Sequence, residues 1–293
     1  MAVKHTRAEN VFCVFNYIFL SFITFLTLYP MLHVVFASFS DNLLLMRHSG
    51  ILLWPRGFST TAYVKVLNNP NIIMGYRNTL FILFFGVLMS LIMTSLGAYF
   101  LSRKNVYFKK PVMLLITFTM FFGGGLIPVY LNLRDLGFLN SLWGLIIPFC
   151  LSTYNMIIMR TSFLSIPDSL TEAAYIDGAG HVQILFRVIL PLSKAVLAVM
   201  VLYYGIGIWN SWFWATAILR NRELYPLQVI LREILIQNSA MASSAAFDGV
   251  DASEVSETIK YATIIVATVP VLCVYPFLQK YFAKGVLLGS LKE

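Results

Sequence analysis

Six apolar runs, near 11–37, 79–101, 111–133, 141–158, 195–219 and 261–282, dominate this 293-residue chain. Each approaches or exceeds the ~20 residues with which a helix crosses ~30 Å of hydrocarbon. Lipid offers no hydrogen bonds, and a helix satisfies its backbone groups internally. The runs therefore predict an all-α membrane protein with six transmembrane helices in one domain, 1–293. A β-barrel would need alternating segments of about ten residues, and none occurs. Only 12% of the residues are charged, about half the share of an average soluble domain, too few to cover a globular surface. The first run follows a basic leader with Lys4 and Arg7. Its apolar stretch is far longer than the ~7–15 residues of a signal-peptide core, so it reads as a retained span.

Charge placement orients the spans. With the N-terminus inside, 12 of the 21 basic residues fall on inner segments, and the link 102–110 alone carries Arg103, Lys104, Lys109 and Lys110. The excess of inner Lys and Arg puts both termini in the cytoplasm, with 160–194 as an inner loop and 38–78 and 220–260 as external loops. The net charge of +8 is then an orientation signal, and no nucleic-acid partner is expected. Cys13, Cys150 and Cys273 lie within the spans without metal or redox spacing, so no disulfide is expected.

Two further features break the plain pattern. After Pro226, Leu227, Ile230, Leu231, Ile234 and Leu235 recur at helical spacing, which predicts a short amphipathic surface helix with Arg232 and Glu233 facing water. Residues 238–249 then read as a small, polar loop, either ordered by a partner or a slack linker. Within the third run, Gly123, Gly124 and Gly125 precede Pro128. Interior glycine costs ~1 kcal/mol and proline ~3 kcal/mol, so the helix weakens there. The break serves either an unwound transport path or close packing of helices at small residues.

Several chemistries are missing. There is no phosphate-binding Gly-x-x-x-x-Gly-Lys-Ser/Thr loop, and the four histidines are scattered without metal-ligand spacing, so no metal site, cofactor or catalytic residue is expected. Ionisable residues are almost absent from the spans, whereas ion-coupled carriers place charged relays there. A six-helix chain of this kind has no engine of its own.

The segment 169–191 is a polar island between two apolar runs. Ser169-Leu170-Thr171-Glu172 fits a capping box, and the helix it starts would stop at Gly178, which takes positive φ without steric cost. A second helix would carry Val182, Leu185, Val188 and Ile189 on one face and end at Pro191. Capping alone would explain Glu172, and an interfacial helix pair would explain the whole. An exposed docking surface is the other reading.

Glu172-Ala173-Ala174, three residues, Gly178, nine residues, Val188, one residue and Leu190-Pro191 resemble the EAA loop of permeases from ABC importers, with valine in place of the usual isoleucine. The segment 277–289 is similar to the C-terminal end of maltose-type carbohydrate permeases. Phe121-Phe-Gly-Gly-Gly-Leu-Ile-Pro128 resembles the oligosaccharide subgroup that takes up alginate and pectin fragments, in particular the smaller permease of alginate-oligosaccharide importers. The resemblance implies a type I ABC importer permease in the bacterial inner membrane. Its implied partners are a second, homologous permease, two ATPase subunits that bind ATP and Mg, an extracytoplasmic solute-binding protein and an oligosaccharide. It implies ATPase coupling through Glu172, Ala173, Ala174, Asp177, Gly178, Val188, Leu190 and Pro191, and binding-protein contact through Asn238, Ser243, Ser244, Phe247 and Asp248. Trp209, Asn210 and Trp212, with Gly123–Gly125, are the substrate-path candidates: aromatic faces and an amide suit a sugar, while tryptophans at a membrane surface also serve as belt residues. A permease for another solute and a membrane scaffold without transport are the alternatives.

Overall fold

The computed structural model describes the backbone of residues 7–104, 106–248 and 257–290, and side chains within them except at 7, 8, 238–248, 275 and 277–290. Among the described residues, secondary structure is helical apart from one isolated bridge, Ser40 with Phe58. The chain divides into two compact units, Met1–Asn69 with Leu231–Thr268, and Pro70–Ile230 with Val269–Glu293.

In the first unit, α1 (Arg7–Ser38) is apolar all round, and none of its most apolar window is buried within the chain. Phe12 is 68% and Tyr17 73% exposed. A helix that is apolar on every face belongs in lipid or against another chain. Its end is tied down locally. The Tyr29 hydroxyl accepts from Leu52 N–H at 3.0 Å, and Ser40 Oγ accepts from Arg56 N–H at 3.0 Å. Asp41 caps the short α2 (Asn42–Met46), and Phe39 stacks on Phe58 and packs at a tilt against Tyr63 of α3 (Thr61–Leu67).

The second unit is built on α4 (Pro70–Ser102). Its buried face is small and polar: Gly75, Thr79, Gly86, Ser90, Thr94, Ala98 and Ser102 recur at about four-residue intervals. Small side chains let helix axes approach, which is how helices associate where lipid removes the hydrophobic drive. A Cβ at Gly97 would stand 2.6 Å from Met156 Sδ, and one at Gly86 2.8 Å from Ile208 Cδ1. The helix starts nine residues before the expected span because its polar residues have partners. Asn78 Nδ2 donates to the carbonyls of Glu223 at 2.7 Å and Tyr225 at 3.1 Å, and Thr79 Oγ1 accepts from Leu227 N–H at 2.8 Å. Asn78→Ala would strand two carbonyls and is expected to cost ~1–3 kcal/mol. Thermal denaturation of the purified membrane protein checks this, with faster proteolysis at 223–227 as a local readout.

The third run is broken as its glycines predict. Between helix α5 (Lys109–Phe121) and α6 (Leu126–Asp135) the chain bends by 114°. A Cβ at Gly123 or Gly125 would meet nothing within 4 Å, so close helix packing within this chain is not the reason for these glycines. Gly125 has φ +83° and starts α6, a conformation other residues adopt only with strain.

The fourth run is not the helix expected at 141–158. A 3₁₀ turn at Leu142–Leu145 leads through irregular backbone around Pro148 to α7 (Thr153–Leu164). Apolar composition cannot register the N–H that Pro148 lacks. The irregular stretch survives because it is buried in protein: Ile146 and Cys150 are buried, and the Tyr204 hydroxyl accepts from Ser152 N–H at 3.2 Å.

The polar segment holds α8 (Asp168–Ile176), α9 (His181–Ile184), a π turn at Leu185–Ile189 and α10 (Leu190–Leu192). The fifth run splits into α11 (Lys194–Trp209) and α12 (Phe213–Ile218), interrupted at 210–212. Helix α13 (Leu227–Asp248) begins where its periodicity predicts, with Leu227, Ile230 and Leu231 buried and Arg232 exposed. Glu233, however, is half-buried. The helix also continues through Asp248, which corrects the loop expected from 238: alanine and methionine there favour helix more than the serines oppose it. Residue 249, the side chains of Asn238, Ser243, Ser244, Phe247 and Asp248, and those of the 277–289 segment lie outside the described residues. Helix α14 (Glu257–Ser290) is the last element.

Among the described residues, three helices are long and apolar enough to span a membrane, Glu9–Ser38, Pro70–Ser102 and Glu257–Val274. If the bent pairs Lys109–Phe121 with Leu126–Asp135 and His181–Leu192 with Lys194–Trp209 each count as one span, there are five. Two clusters hold the second unit. One joins Ala98 and Leu101 of α4 to Met159 and Phe163 of α7, Ile184, Leu185 and Ile189 of the polar segment, and Met200. The other joins Ile82 to Leu133, Ile146, Ile218 and Val229.

Candidate functional site

The polar segment forms an elbow seated on the end of α4. Helix α8 starts two residues earlier than the capping-box reading places it. Pro167 is its N-cap and offers no side-chain bond, so neither Ser169 nor Glu172 caps the helix. Asp168 occupies the first turn instead, where a carboxylate meets the positive end of the helix dipole, and pairs with Lys104 at 2.5 Å. Their hydrogen bond pushes Asp168 below and Lys104 above their usual ranges. The contact is therefore complete at neutral pH. It fades only as acid protonates the lowered carboxyl or as base strips the raised ammonium. Both groups are exposed, so its contribution is small.

Helix α8 ends as expected at Gly178, with φ +80°. Ala179 N–H donates to the Ala174 carbonyl at 2.9 Å and Gly178 N–H to Tyr175 at 3.0 Å, the paired bonds of a Schellman cap. The second arm is less regular than periodicity suggests. Val182 is 67% exposed, and Ile184 is buried in its place beside Leu185 and Ile189. Pro191 cannot donate to the carbonyl four residues back, and the chain widens into the π turn just before it.

Beneath the elbow, Arg103 donates to Thr171 Oγ1 at 3.2 Å and lies 4.7 Å over the Tyr99 ring. The Tyr175 and Tyr99 hydroxyls stand 2.7 Å and 3.4 Å from His181 Nδ1. Arg160 and Lys109 donate to the Leu101 and Arg103 carbonyls, closing the C-terminal end of α4 with positive charge. The elbow is thus clamped to the second unit's principal helix, and a push on α8 reaches α4 directly. Its outer surface carries the exposed carboxylates Glu172 and Asp177 around Ile176, which is 86% exposed, with Val182 and Phe186 also bare. Apolar side chains rimmed by charge make a docking surface.

A cavity of about 320 Å³ lies elsewhere in the second unit, lined from α4, α7, α11 and α12 by Ser90, Asn155, Tyr203, Tyr204, Ser211 and Trp214 among others.

The chain is 39% identical over 284 residues to the polygalacturonan/rhamnogalacturonan transport system permease protein YtcP of Bacillus subtilis (strain 168), an alignment covering 97% of this chain and 99% of that protein. Protein LplC of the same organism is 37% identical over 290 residues, or 99% and 98% of the two chains. One chain of the crystal structure of a bacterial ABC transporter involved in the import of the acidic polysaccharide alginate superposes with a TM-score of 0.86 at 36% identity, covering 95% of this chain and 99% of that one. The chain belongs to the permease family of carbohydrate ABC transporters. No family profile matches it. A chain of an alginate ABC transporter solved with a pentasaccharide-bound periplasmic protein shares the fold at a TM-score of 0.58 and 17% identity, covering 92% of this chain and 93% of that one.

In this permease the residues of the EAA pattern divide by burial. Glu172, Ala173, Asp177, Gly178 and Pro191 are exposed, whereas Ala174, Val188 and Leu190 pack against the core beneath. The pattern thus combines an exposed surface with its seating. The aromatic candidates do not converge. Trp209 is buried and lines an apolar cavity with Phe84 and Leu202. Asn210 donates to the Ile206 carbonyl at 3.0 Å and finishes α11, and Trp212 is exposed beside Phe213. Ser211 and Trp214 line the 320 Å³ cavity instead, because the break at 210–212 turns the chain. Gly123–Gly125 are exposed and line neither cavity. Sequence reasoning missed the clamp of Arg103, Thr171, Tyr175 and His181. It also missed the small-residue stripe of α4, whose four-residue recurrence was a usable signal.

Proposed function

We propose that this chain is the transmembrane permease subunit of an ATP-driven, binding-protein-dependent oligosaccharide importer, forming one half of the translocation path in the bacterial cytoplasmic membrane. The observation that carries the reading is the elbow: an exposed acidic and apolar surface clamped to α4. A permease without its own ATPase site needs such a surface to receive force. Glu172, Asp177 and Ile176 would meet the ATPase subunit, and Arg103 and His181 would pass its movement to α4. Six spans with both termini cytoplasmic accord with the inner Lys/Arg excess, the 141–164 stretch serving as the remaining span, and we read 1–293 as one permease domain. ATP and Mg belong to the partner ATPases. A second permease and an extracytoplasmic binding protein complete the assembly, the latter meeting the 238–248 part of α13. The names of the Bacillus subtilis relative and the alginate neighbour support an oligosaccharide cargo, with uronate-containing chains as first candidates.

The test is purification of the intact complex followed by measurement of which sugar-loaded binding protein stimulates ATP hydrolysis. Stoichiometric ATPase and second permease should copurify, with oligosaccharide-loaded binding protein the best activator. Purification of this chain alone, or activation only by a peptide- or phosphate-loaded binding protein, overturns the reading.

A further inference from the structure

We propose that the cavity among α4, α7, α11 and α12 is a binding site for one uncharged, hydroxyl-rich ring of the sugar in transit; this rests on the permease reading above. Its volume of about 320 Å³ lies at the lower end of small-molecule pockets, ~300–1,000 Å³. Ser90, on its wall, is 0% exposed and its Oγ has no hydrogen-bond partner. A helical hydroxyl readily bonds the carbonyl one turn back, as Thr24 and Thr27 do in α1. One turn along the same stripe, Thr94 is bonded to Tyr204 at 2.6 Å. Ser90 is therefore an unquenched polar group at an empty space, an arrangement that natural proteins keep for a reason.

The rest of the wall suits a sugar ring. Asn155, Tyr203 and Ser211 offer both donors and acceptors, and the paired rings of Phe149 and Trp214, 5.1 Å apart, offer an apolar face for ring C–H groups. No described lining residue carries a charge. A uronate carboxylate there would lose its solvation without a counter-ion, so the site takes an uncharged ring or a neutralised one. The site also gives the irregular backbone before α7 a purpose, because such backbone at membrane depth belongs where it lines a polar cavity.

The test uses the complete importer, with partner permease, ATPases and binding protein, in proteoliposomes. The probes are radiolabelled α-1,4-trigalacturonate and its fully methyl-esterified, uncharged counterpart. Ser90→Ala removes one hydrogen bond and should lower import of the ester about fivefold. Gly207 lines the cavity, and a Cβ there meets nothing within 4 Å. Gly207→Leu should therefore carry a side chain into the space from a Cβ that meets no neighbour, with better helix propensity, and lower import more than about tenfold. Both variants should still copurify with the ATPases, and Ser90→Ala should melt no earlier than the parent, since it deletes an unpaired buried hydroxyl. A merely structural Ser90 would leave import untouched. Unchanged ester import in both variants overturns the site, as does a loss confined to the acid. If the parent importer carries neither probe, the site as proposed falls, while the oligosaccharide reading stands or falls by the binding-protein test above.

Discussion

Glu172→Lys is expected to leave the permease folded and inserted while import falls by a factor on the order of 30. The side chain makes no cap in α8, and it is exposed, so its removal costs the fold little; surface changes of this kind stay within about ±0.5 kcal/mol. Its value lies in what it meets. Reversing a charge at a complementary contact juxtaposes like charges and costs several kcal/mol, of which ~2 kcal/mol corresponds to the factor above. Glu172→Gln, which keeps shape and loses charge, should fall between. Import by reconstituted complexes and retention of ATPase on the tagged permease are the measurements. Wild-type import by Glu172→Lys would remove the coupling role from this residue and move it to Asp177 or to the apolar ridge at Ile176.

Gly178→Val should damage the same function through the backbone. Gly178 has φ +80°, and a Cβ there meets nothing within 4 Å, so no clash is involved. The cost is the left-handed conformation itself, ~1–2 kcal/mol for an L-residue and more for a β-branched one. The elbow then relaxes, releasing the Schellman bonds of Ala174 and Tyr175, and the angle between α8 and α9 is lost. Import should drop at least about tenfold, with new protease cleavage between 176 and 181. Gly178→Asn should retain most activity, because asparagine tolerates this conformation. If valine and asparagine behave alike, backbone strain is not what the glycine relieves.

The two variants separate what was legible in the chain from what was not. The glycine stop was readable, since few residues end a helix in this way. The helix start was not. Ser169 and Glu172 carry the right spacing for a capping box, but Pro167 takes the N-cap two residues earlier and Asp168, in the first turn, pairs with Lys104. Spacing cannot see a partner 64 positions away in the chain. Likewise the basic link 102–110 was readable as an orientation signal. Its second use, in which Arg103 grips Thr171 and Lys109 closes the end of α4, depends on which elements fold against it.

The sequence by itself determined that the chain is helical and lives in a membrane, that its third run breaks at the glycines, and that 169–191 is a motif of ABC permeases. These are properties of local chemistry: hydropathy over a span, the torsional freedom of glycine, the missing N–H of proline, a fixed order of side chains. Only the tertiary structure decided that 141–158 is no continuous helix, that Ser211 and Trp214 rather than Trp209 line the cavity beside Ser90, and that Ser90 is left without a partner. Those outcomes turn on groups far apart in the chain, the Tyr204 hydroxyl beneath Ser152 and the α4 stripe against α11, and on which polar groups packing leaves unsatisfied.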